Sequence, residues 1–406
     1  MFKYFSKYII ILLFSTSVVS ASDDLNFYGY ISFLHNKQFK IPELDTLGNT
    51  IRNNSESKWD IAKFNLILQQ SFTNNFQLYL NLSNKFEVNN AFGEYSFNQF
   101  YNFRLGKIYR RFGLYNEIRD AAPFYYGSEL PEIVQLEHKI FDINTNFMFF
   151  GTKDFGRKTL KYSLNFSLID NINEGNSFPF GVDIRYGKES NFIIGSSFYY
   201  SGTKAISDVK VGNGYSNNGV MPWMEYDQFT VTGLFLEYNL NEFIIQSEFT
   251  YSPHNAVRSP EKVLEMFDGV SKLGNPLSNS QIQLFKIDND KPMELSNIKK
   301  NINYNIISWY FKTSYILSSD YGIFIPFFNL EYYSNPEMIE NVQFGGDNES
   351  GISKEGIIKK FDFGSTYYPI QQVSIKLAFG LNQFEFNDEN VLTTEYSLEV
   401  FYIFGN

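Results

Sequence analysis

The sequence predicts an all-β protein, a transmembrane antiparallel β-barrel of about sixteen strands, with fourteen and eighteen strands as the alternatives. Three observations point to this fold. Segments of roughly ten residues alternate apolar and polar side chains. Short turns alternate with long connections between these segments. The strands do not alternate with helical segments that could pack on a sheet, which disfavours a fold of helices packed on a sheet.

The alternation is clearest in 159–170, where leucine and aromatic residues take every second position between lysine, serine and asparagine. Segments 76–83 and 373–381 follow the same pattern. Such strands have one face suited to lipid and one suited to water. The predicted strands are 26–35, 59–72, 75–85, 89–97, 100–109, 142–152, 158–170, 178–188, 191–202, 226–240, 242–252, 303–317, 321–334, 355–368, 370–384 and 390–404.

The connection lengths test this strand count, because bacterial barrels have short periplasmic turns and longer outer loops. The predicted outer connections are 36–58, 108–141, 203–225, 253–302 and 335–354. They all fall on one side only if 130–139 is not counted as a strand, which favours an even number near sixteen. The loop 253–302 is expected to contain a short helix near Glu261 to Phe267.

The first residues resemble a processing signal. Lys3 and Lys7 precede a short apolar run, and Val19-Ser20-Ala21 places small residues where a signal peptidase cleaves. The run is shorter than the roughly 20 residues of a spanning helix. We therefore predict a signal peptide over 1–21 and a barrel over 22–406, exported to the outer membrane of a Gram-negative bacterium.

The composition fits a barrel in contact with lipid. The 406 residues include 44 Phe and 29 Tyr, and a lipid-facing wall can carry many rings while the lumen stays polar. The chain has no Cys, so hydrogen bonds between strands must hold it together. The formal net charge of −10 disfavours nucleic acid as a partner, and nothing in the sequence indicates a cofactor.

The last strand has an aromatic face, formed by Tyr396, Leu398, Val400, Tyr402 and Phe404. It resembles the C-terminal signal that the outer-membrane assembly machinery recognises, although Gly405 and Asn406 follow the final aromatic residue. The resemblance implies that this machinery is a partner during insertion.

A second resemblance lies after the fifth predicted strand. Gly106-Lys107, Phe112-Gly113-Leu114-Tyr115-Asn116-Glu117 and Asp120-Ala121-Ala122-Pro123 resemble a stretch of the phosphate-selective and polyphosphate-selective porin superfamily. The resemblance covers about twenty residues strongly. It implies a porin whose third outer loop, 108–141, folds into the barrel, and a homotrimer as in many general porins of this size.

Charged residues of this loop are candidates for a pore constriction, because charges at a narrow point determine which ions pass. The candidates are Lys107, Arg110, Arg111, Glu117, Arg119 and Asp120. In the alternative interpretation these charges pair with one another and only fix the loop to the wall.

The polar faces of the strands predict the lumen. Its basic candidates are Lys63, Arg104, Lys161, Arg185, Lys312, Lys360 and Lys376. Its acidic candidates are Asp183, Glu248, Glu331, Asp362 and Glu399. This set is mildly basic and predicts weak anion preference, but it lacks a dense arginine ladder, so phosphate specificity is not inferred.

The sequence thus predicts a porin for passive diffusion of small hydrophilic solutes or anions, embedded in outer-membrane lipid. An adhesion or binding barrel with ligand-recognising outer loops is the alternative. An enzyme is not expected, because His35, His138 and His254 fall in or near predicted outer loops without a nucleophile motif. No metal site is expected either. A soluble β-sandwich is disfavoured by the apolar outer strand faces.

Overall fold

A computed structural model gives the fold of most of the chain. It describes residues 25–38, 43–44, 50–51, 58–121, 123, 130–135, 140–167, 178–188, 191–214, 216, 218–272, 279–339, 356–386 and 389–405. The predicted signal peptide, 1–21, and His138 lie outside the described residues.

Sixteen antiparallel strands in the described part of the chain form one closed barrel, which confirms the predicted fold and strand count. In chain order they are β1 Leu25–Gln38, β2 Lys58–Thr73, β3 Phe76–Ser83, β4 Val88–Ser96, β5 Asn102–Tyr109, β6 Asn144–Phe155, β7 Lys158–Phe166, β8 Phe180–Lys188, β9 Phe192–Tyr200, β10 Met224–Leu240, β11 Phe243–Arg258, β12 Asn301–Tyr315, β13 Gly322–Ser334, β14 Ile357–Ile370, β15 Val373–Phe386 and β16 Glu389–Gly405.

Each strand pairs with its neighbours in the chain, and β1 pairs with both β2 and β16 to close the ring. The strand β12 is interrupted at Ile316 and continues as Leu317–Ser319, which pairs with the start of β13. A separate pair of two-residue strands, Glu43–Leu44 and Thr50–Ile51, lies outside the barrel sheet. Because a closed ring has no edge strand, the backbone groups of the described wall are paired without disulfides.

The connections alternate in length as the sequence predicts. Turns of two residues join the strands at one end, at 74–75, 156–157, 241–242, 320–321 and 371–372. The long connections lie at the opposite end, called the outer end here, where only 84–87 and 387–388 are short. The long connections include outer loop 3 (110–143), outer loop 5 (201–223), outer loop 6 (259–300) and outer loop 7 (335–356).

The two faces of the wall differ as the alternation predicts. On β7 the outward Leu164 is exposed, whereas the inward Ser163 and Asn165 are buried inside the barrel. On β16 the outward Tyr402 is exposed and the inward Glu399 is buried. Apolar side chains therefore cover the outside, and polar groups point into the lumen.

The predicted start of one loop is wrong by six residues, whereas the bounds of the other long connections shift by three residues or fewer. The strand β11 continues to Arg258 and β12 begins at Asn301, so the connection predicted as 253–302 is outer loop 6, 259–300. Pro253, the first residue after the predicted strand end, lies on the outward face opposite Asn305, and the strand continues past it. Outer loop 3 likewise occupies 110–143 rather than 108–141, and its described residues 130–135 form a 3-10 turn, Glu132–Val134, not a strand.

Outer loop 6 contains two helices, α1 Pro260–Lys272 and α2 Asn279–Phe285. The first confirms the helix expected near 261–267. Proline at the first helical position has no N–H to lose, and the preceding Ser259 hydroxyl accepts a hydrogen bond from the Lys262 N–H at 3.5 Å. Within the described residues, no helix has the length and apolar character needed to cross a membrane.

Candidate functional site

Outer loop 3 enters the lumen directly after β5 and is fixed there by Arg110. The Arg110 guanidinium is fully buried and donates to the backbone oxygens of Asp142 and Asn144, at 3.0 and 2.9 Å, and to the Ser167 hydroxyl at 2.6 Å. It also lies 4.4 Å from the centre of the Tyr199 ring. Arg110 thus ties the start of the loop to its end and to β9, and it does not face the lumen.

The loop then crosses the barrel at Gly113. This residue has φ +59°, which favours glycine, and a side chain here would collide with the Glu248 carboxylate of β11. The Gly113 N–H donates to Ser197 of β9, and its carbonyl accepts from Arg185 of β8, both at 2.9 Å. The next N–H, of Leu114, donates to Glu248 at 3.2 Å.

The far side of the loop is attached to the opposite wall. The Tyr115 hydroxyl donates to Gln246 of β11, and its ring packs edge-on against Tyr310 of β12 at 6.0 Å. Further along, the Glu132 N–H donates to Glu331 of β13 at 3.0 Å, and its carboxylate pairs with Lys360 of β14. Outer loop 3 therefore spans the lumen from β5 to β14.

Four buried charges meet where the loop reaches β12–β14. Lys312 lies 3.9 Å from Glu331, and Lys360 pairs with Glu132. The lysine side chains are only 2% and 6% exposed. Because two positive and two negative groups balance here, the cluster tolerates burial that a single charge would not. We call Glu132, Lys312, Glu331 and Lys360 the buried quartet.

Several charged side chains on the inner wall along β2–β8 remain partly exposed. The side chains of Lys63 on β2, Arg104 on β5 and Arg185 on β8 are 43%, 19% and 17% exposed. The inner face of β11–β14, by contrast, is covered at Gln246, Glu248, Lys312, Glu331 and Lys360. The loop also bonds Asn81 of β3, Arg104 of β5 and Arg185 of β8, so it contacts both halves of the barrel. Partly exposed charges remain beside the loop along β2–β8.

A charged cluster forms where these strands meet the loop. Arg104 donates to Glu94 of β4 at 2.6 Å and to Glu117 of the loop at 3.2 Å. Glu117 also accepts two hydrogen bonds from Arg111, at 2.8 and 2.9 Å. We call Glu94, Arg104, Arg111 and Glu117 the lumen cluster.

Burial and positive charge act in opposite directions on Glu117. Burial alone would raise the pKa of its carboxyl, but Arg111, Arg104 and Arg185 hold that pKa well below its usual range. Aromatic rings fix the guanidinium of Arg104, which lies 4.9 Å from the centre of Phe92 and 4.8 Å from Phe150. The cluster is thus a rigid, permanently charged contact between loop and wall.

The remaining loop candidates lie apart from the lumen cluster. Asp120 accepts hydrogen bonds from Asn81 at 2.6 Å and Asn89 at 3.2 Å. Burial raises the pKa of Asp120 above its usual value, against the opposing effects of these bonds, a Tyr109 hydrogen bond and Arg119. Arg119 is buried and donates to Asn116 at 3.1 Å. Lys107 is exposed at the outer end of β5, where its Nζ donates to the Val88 carbonyl.

The other lumen candidates lie on inner faces of the wall. Lys161 is opposite Arg185, which bonds Asp183 at 2.6 Å. Lys63 lies 3.4 Å from Glu399, and the buried Lys376 lies 5.3 Å from the centre of the Phe401 ring. The lysines of β2 and β15 therefore contact an acidic and an aromatic side chain of β16.

Sequence reasoning missed several inward acidic residues. Glu94 bonds the inward Arg104 and Gln77, Glu237 bonds the inward Gln246, and Glu395 lies opposite Gly380 beside Asp362. Added to the predicted acidic set, they make the acidic residues on the described inner face at least as numerous as the basic ones. The prediction of a mildly basic lumen is therefore wrong for the lumen as a whole. Each of them occupies an inward position of its strand, so the alternation of the strand residues could have identified it.

His254 was also misplaced, because it lies inside β11 and not in an outer loop. Its Nδ1 is 2.7 Å from Asp227 and its Nε2 is 2.9 Å from Ser252. This order resembles a nucleophilic triad, but all three side chains are buried and the Ser252 hydroxyl also bonds the Thr230 carbonyl. No face is open to a substrate, and we assign the array no catalytic role.

The outer loops pack into a cap at the outer end of β10–β13. Arg258 pairs with Glu337 of outer loop 7, with its Nε at 3.1 Å, and lies 4.2 Å from the Phe285 ring centre of α2. Trp223 of outer loop 5 also donates to Glu337, at 3.3 Å. Among the described residues, no group of three or more His, Cys, Asp or Glu side chains is placed to hold a metal ion.

The architecture is similar to that of solved bacterial outer-membrane channels. Salmonella typhi OmpF in complex with daunomycin has a TM-score of 0.51 at 12% identity, over 94% of this chain and 97% of that one. The outer membrane channel DcaP of Acinetobacter baumannii has a TM-score of 0.50 at 8% identity, over 94% and 97%. The anion-selective porin from Comamonas acidovorans has a TM-score of 0.50 at 10% identity, over 94% of this chain and 99% of that one.

These likenesses show the fold, which is that of bacterial outer-membrane porins. No protein-family model matches the chain, and no curated protein matches it in sequence.

Proposed function

We propose that this protein is a porin of the Gram-negative outer membrane, which lets small hydrophilic solutes diffuse passively through its lumen. One observation carries the proposal: outer loop 3 crosses the closed sixteen-stranded barrel, yet the side chains of Lys63, Arg104 and Arg185 on its inner wall stay partly exposed. The passage that remains is lined by polar and charged side chains, as a water-filled channel requires.

The proposal includes weak anion preference, set beside outer loop 3 and not by the lumen as a whole. Arg104, Arg111, Arg185 and Lys161 there outnumber Glu94, Glu117 and Asp183 by one charge. Most of these charges are paired, so the preference is small. Of the predicted constriction residues, Arg111 and Glu117 carry this role; Arg110 and Arg119 are buried and fix the loop.

The likeness to the phosphate-selective superfamily supports a porin with an in-folded third loop and a homotrimeric assembly. It does not extend to phosphate, because the inner face mixes acidic and basic residues instead of presenting consecutive arginines. Insertion through the assembly machinery, guided by the aromatic face of β16, belongs to the same proposal.

An adhesion barrel remains the second candidate, because outer loops 5–7 are packed into a cap around Arg258 and Glu337. Such a barrel needs no conducting lumen, so the two candidates differ in a measurable property. The porin itself is not expected to be an enzyme.

Single-channel recording in planar bilayers tests the proposal. The folded protein, verified by heat-modifiable gel migration, is expected to give ohmic conductance steps with a small anion bias. The variant Tyr115→Ala is expected to conduct more, because it removes the ring that fills the space between the loop and β12. Folded protein without conductance would reject the porin and leave the adhesion barrel.

A further inference from the structure

The outward faces of β10, β11 and β12 change character towards the outer end. Leu234, Phe249 and Trp309 are exposed apolar residues on these three strands. Nearer the outer end, amide side chains occupy outward positions. Gln228, Asn255 and Asn303 lie side by side in one row of the sheet, and Asn305 and Asn301 flank Asn303 on β12. We call these five residues the amide face.

The position of this face relative to the membrane follows from the residues below it. Trp309 stacks on Tyr332 of β13 at 6.3 Å, and Tyr332 is opposite the exposed Lys359 of β14. Aromatic residues beside a lysine mark the membrane–water interface of a barrel. Asn303 lies six residues beyond Trp309 on β12. With a rise of about 3.3 Å per residue and the usual strand tilt, it stands roughly 15 Å above that interface.

The amide groups on this face are available for a ligand. Asn255, Asn301 and Asn303 are exposed and make no side-chain hydrogen bond with another described residue. The other two amides contact tyrosines: Gln228 donates to the Tyr200 hydroxyl at 3.2 Å, and Asn305 accepts from the Tyr251 hydroxyl at 2.9 Å. A carboxamide offers both donors and an acceptor, which suits neighbouring hydroxyl groups of a sugar ring.

Positive charge borders the amide face. Lys204 of outer loop 5 is exposed, with its Nζ 5.8 Å from the ring centre of Tyr226 on β10. Lys299 and Lys300 are exposed immediately before Asn301. Two exposed carboxylates lie nearby, Glu225 beside Tyr226 and Glu261 near Lys300. The three lysines outnumber them by one charge, and they complement an anionic group on a bound sugar.

We propose that the amide face binds the phosphorylated oligosaccharide of outer-leaflet glycolipids. The height of the face above the interface matches the saccharide layer, where acyl chains do not reach. Amides would bond the sugar hydroxyls, and the lysines would bond the phosphates. The inference rests on the outer-membrane location in the proposed function, but it concerns the outside of the barrel and not its lumen.

The experiment compares two double variants of the full-length folded protein in detergent. Asn255→Ala with Asn303→Ala removes two amides from the face. Asn213→Ala with Asn289→Ala removes two exposed asparagines from outer loops 5 and 6 and serves as the matched control. The probe is a water-soluble phosphorylated core oligosaccharide without acyl chains, titrated by calorimetry.

We expect saturable binding by the unmodified protein and the control variant, and about tenfold weaker binding by the amide variant. Glycerol phosphate, which carries the phosphate without the sugar ring, is expected not to compete. The inference is overturned if the unmodified protein does not bind, if the amide variant binds equally well, or if glycerol phosphate competes as well as the oligosaccharide.

The conductance of the amide variant separates this inference from the proposed function. Because the replaced residues lie on the outward face, the variant is expected to conduct like the unmodified protein. Absence of conductance in both the unmodified protein and the amide variant would count against the proposed channel function. Whether the amide face binds the oligosaccharide is decided by the titration alone.

Discussion

The two halves of the inner wall carry similar side chains in opposite settings. Along β11–β14 the charges are covered by outer loop 3, and the buried quartet balances its lysines with glutamates. Along β2–β8 the charges of the lumen cluster remain partly exposed. In the first half a charge contributes mainly to stability, because losing a partner leaves an uncompensated buried group. In the second it acts mainly on the ions that pass.

The largest effect is expected from Lys360→Met in the buried quartet. This change leaves the carboxylates of Glu132 and Glu331 close together without the lysine between them. We expect the free energy of unfolding to fall by about 3–5 kcal/mol, measured by urea unfolding of the protein in bilayers.

Two variants test the reason for this loss. Lys360→Met combined with Glu132→Gln removes both partners and is expected to recover most of the stability. Lys161→Met, in the accessible half, is expected to change the free energy of unfolding by less than about 1 kcal/mol. Equal losses for Lys360→Met and Lys161→Met would remove the distinction between the halves.

Arg110 and Arg111 test the same difference at adjacent positions, because Arg110 is buried whereas Arg111 belongs to the partly exposed lumen cluster. Arg110→Ser leaves backbone carbonyls of Asp142 and Asn144 without their donor, so we expect about 3 kcal/mol lower stability and little change in ion selectivity. Arg111→Ser leaves Glu117 with its hydrogen bond from Arg104 and the more distant charge of Arg185. We expect a shift towards cations, with the permeability ratio changing roughly twofold for an interaction of about 0.5 kcal/mol.

Reversal potentials in a KCl gradient and unfolding midpoints would be measured for both variants. A selectivity shift caused by Arg110→Ser, with none from Arg111→Ser, would contradict the placement of the two side chains.

The smallest effect concerns pH. Burial raises the pKa of Asp120, so the folded protein binds this proton at a higher pH than an ordinary aspartate does. The strongly lowered pKa keeps Glu117 ionised. As the pH falls, Asp120 is expected to lose its charge at a higher pH than an ordinary aspartate does, and this loss should increase anion preference slightly. The reversal potential of Asp120→Asn should not show this change; an identical pH response in the variant would exclude Asp120 as its source.

The barrel could be predicted from the sequence because its signal is local and repeated. Each strand carries its own alternation of apolar and polar residues, as in 159–170. The alternation of short turns with long loops then gives the number of strands, and neither pattern requires knowledge of a contact between strands. Residues that follow the alternation, such as Lys161 and Lys376, are therefore placed on the inner face by the same pattern. The predicted strand ends at 252, but β11 continues through Pro253, whose outward position accommodates a residue that usually interrupts strands.

The interior of the lumen could not be predicted in this way. Arg110 and Arg111 are neighbours of the same type, and only the path of the loop towards Gly113 decides which one is buried. The pairing of Glu132 with Lys360 joins distant parts of the chain and leaves no local pattern. Selectivity depends on such contacts, so counting charges on strand faces does not give the charge balance of the lumen as a whole.

The attachment of outer loop 3 to the far wall also sets the order in which the protein can mature. The bond from Glu132 to Glu331 joins residues 199 positions apart, and its partners on β13 and β14 come late in the chain. Contacts of such long sequence separation form late. The bonds of Gly113 to β8 and β9 can form earlier, but the attachment of Glu132 to the far wall requires that β13 and β14 are in place. The attachment of outer loop 3 to β13 and β14 is thus one of the last contacts to form as the barrel is completed.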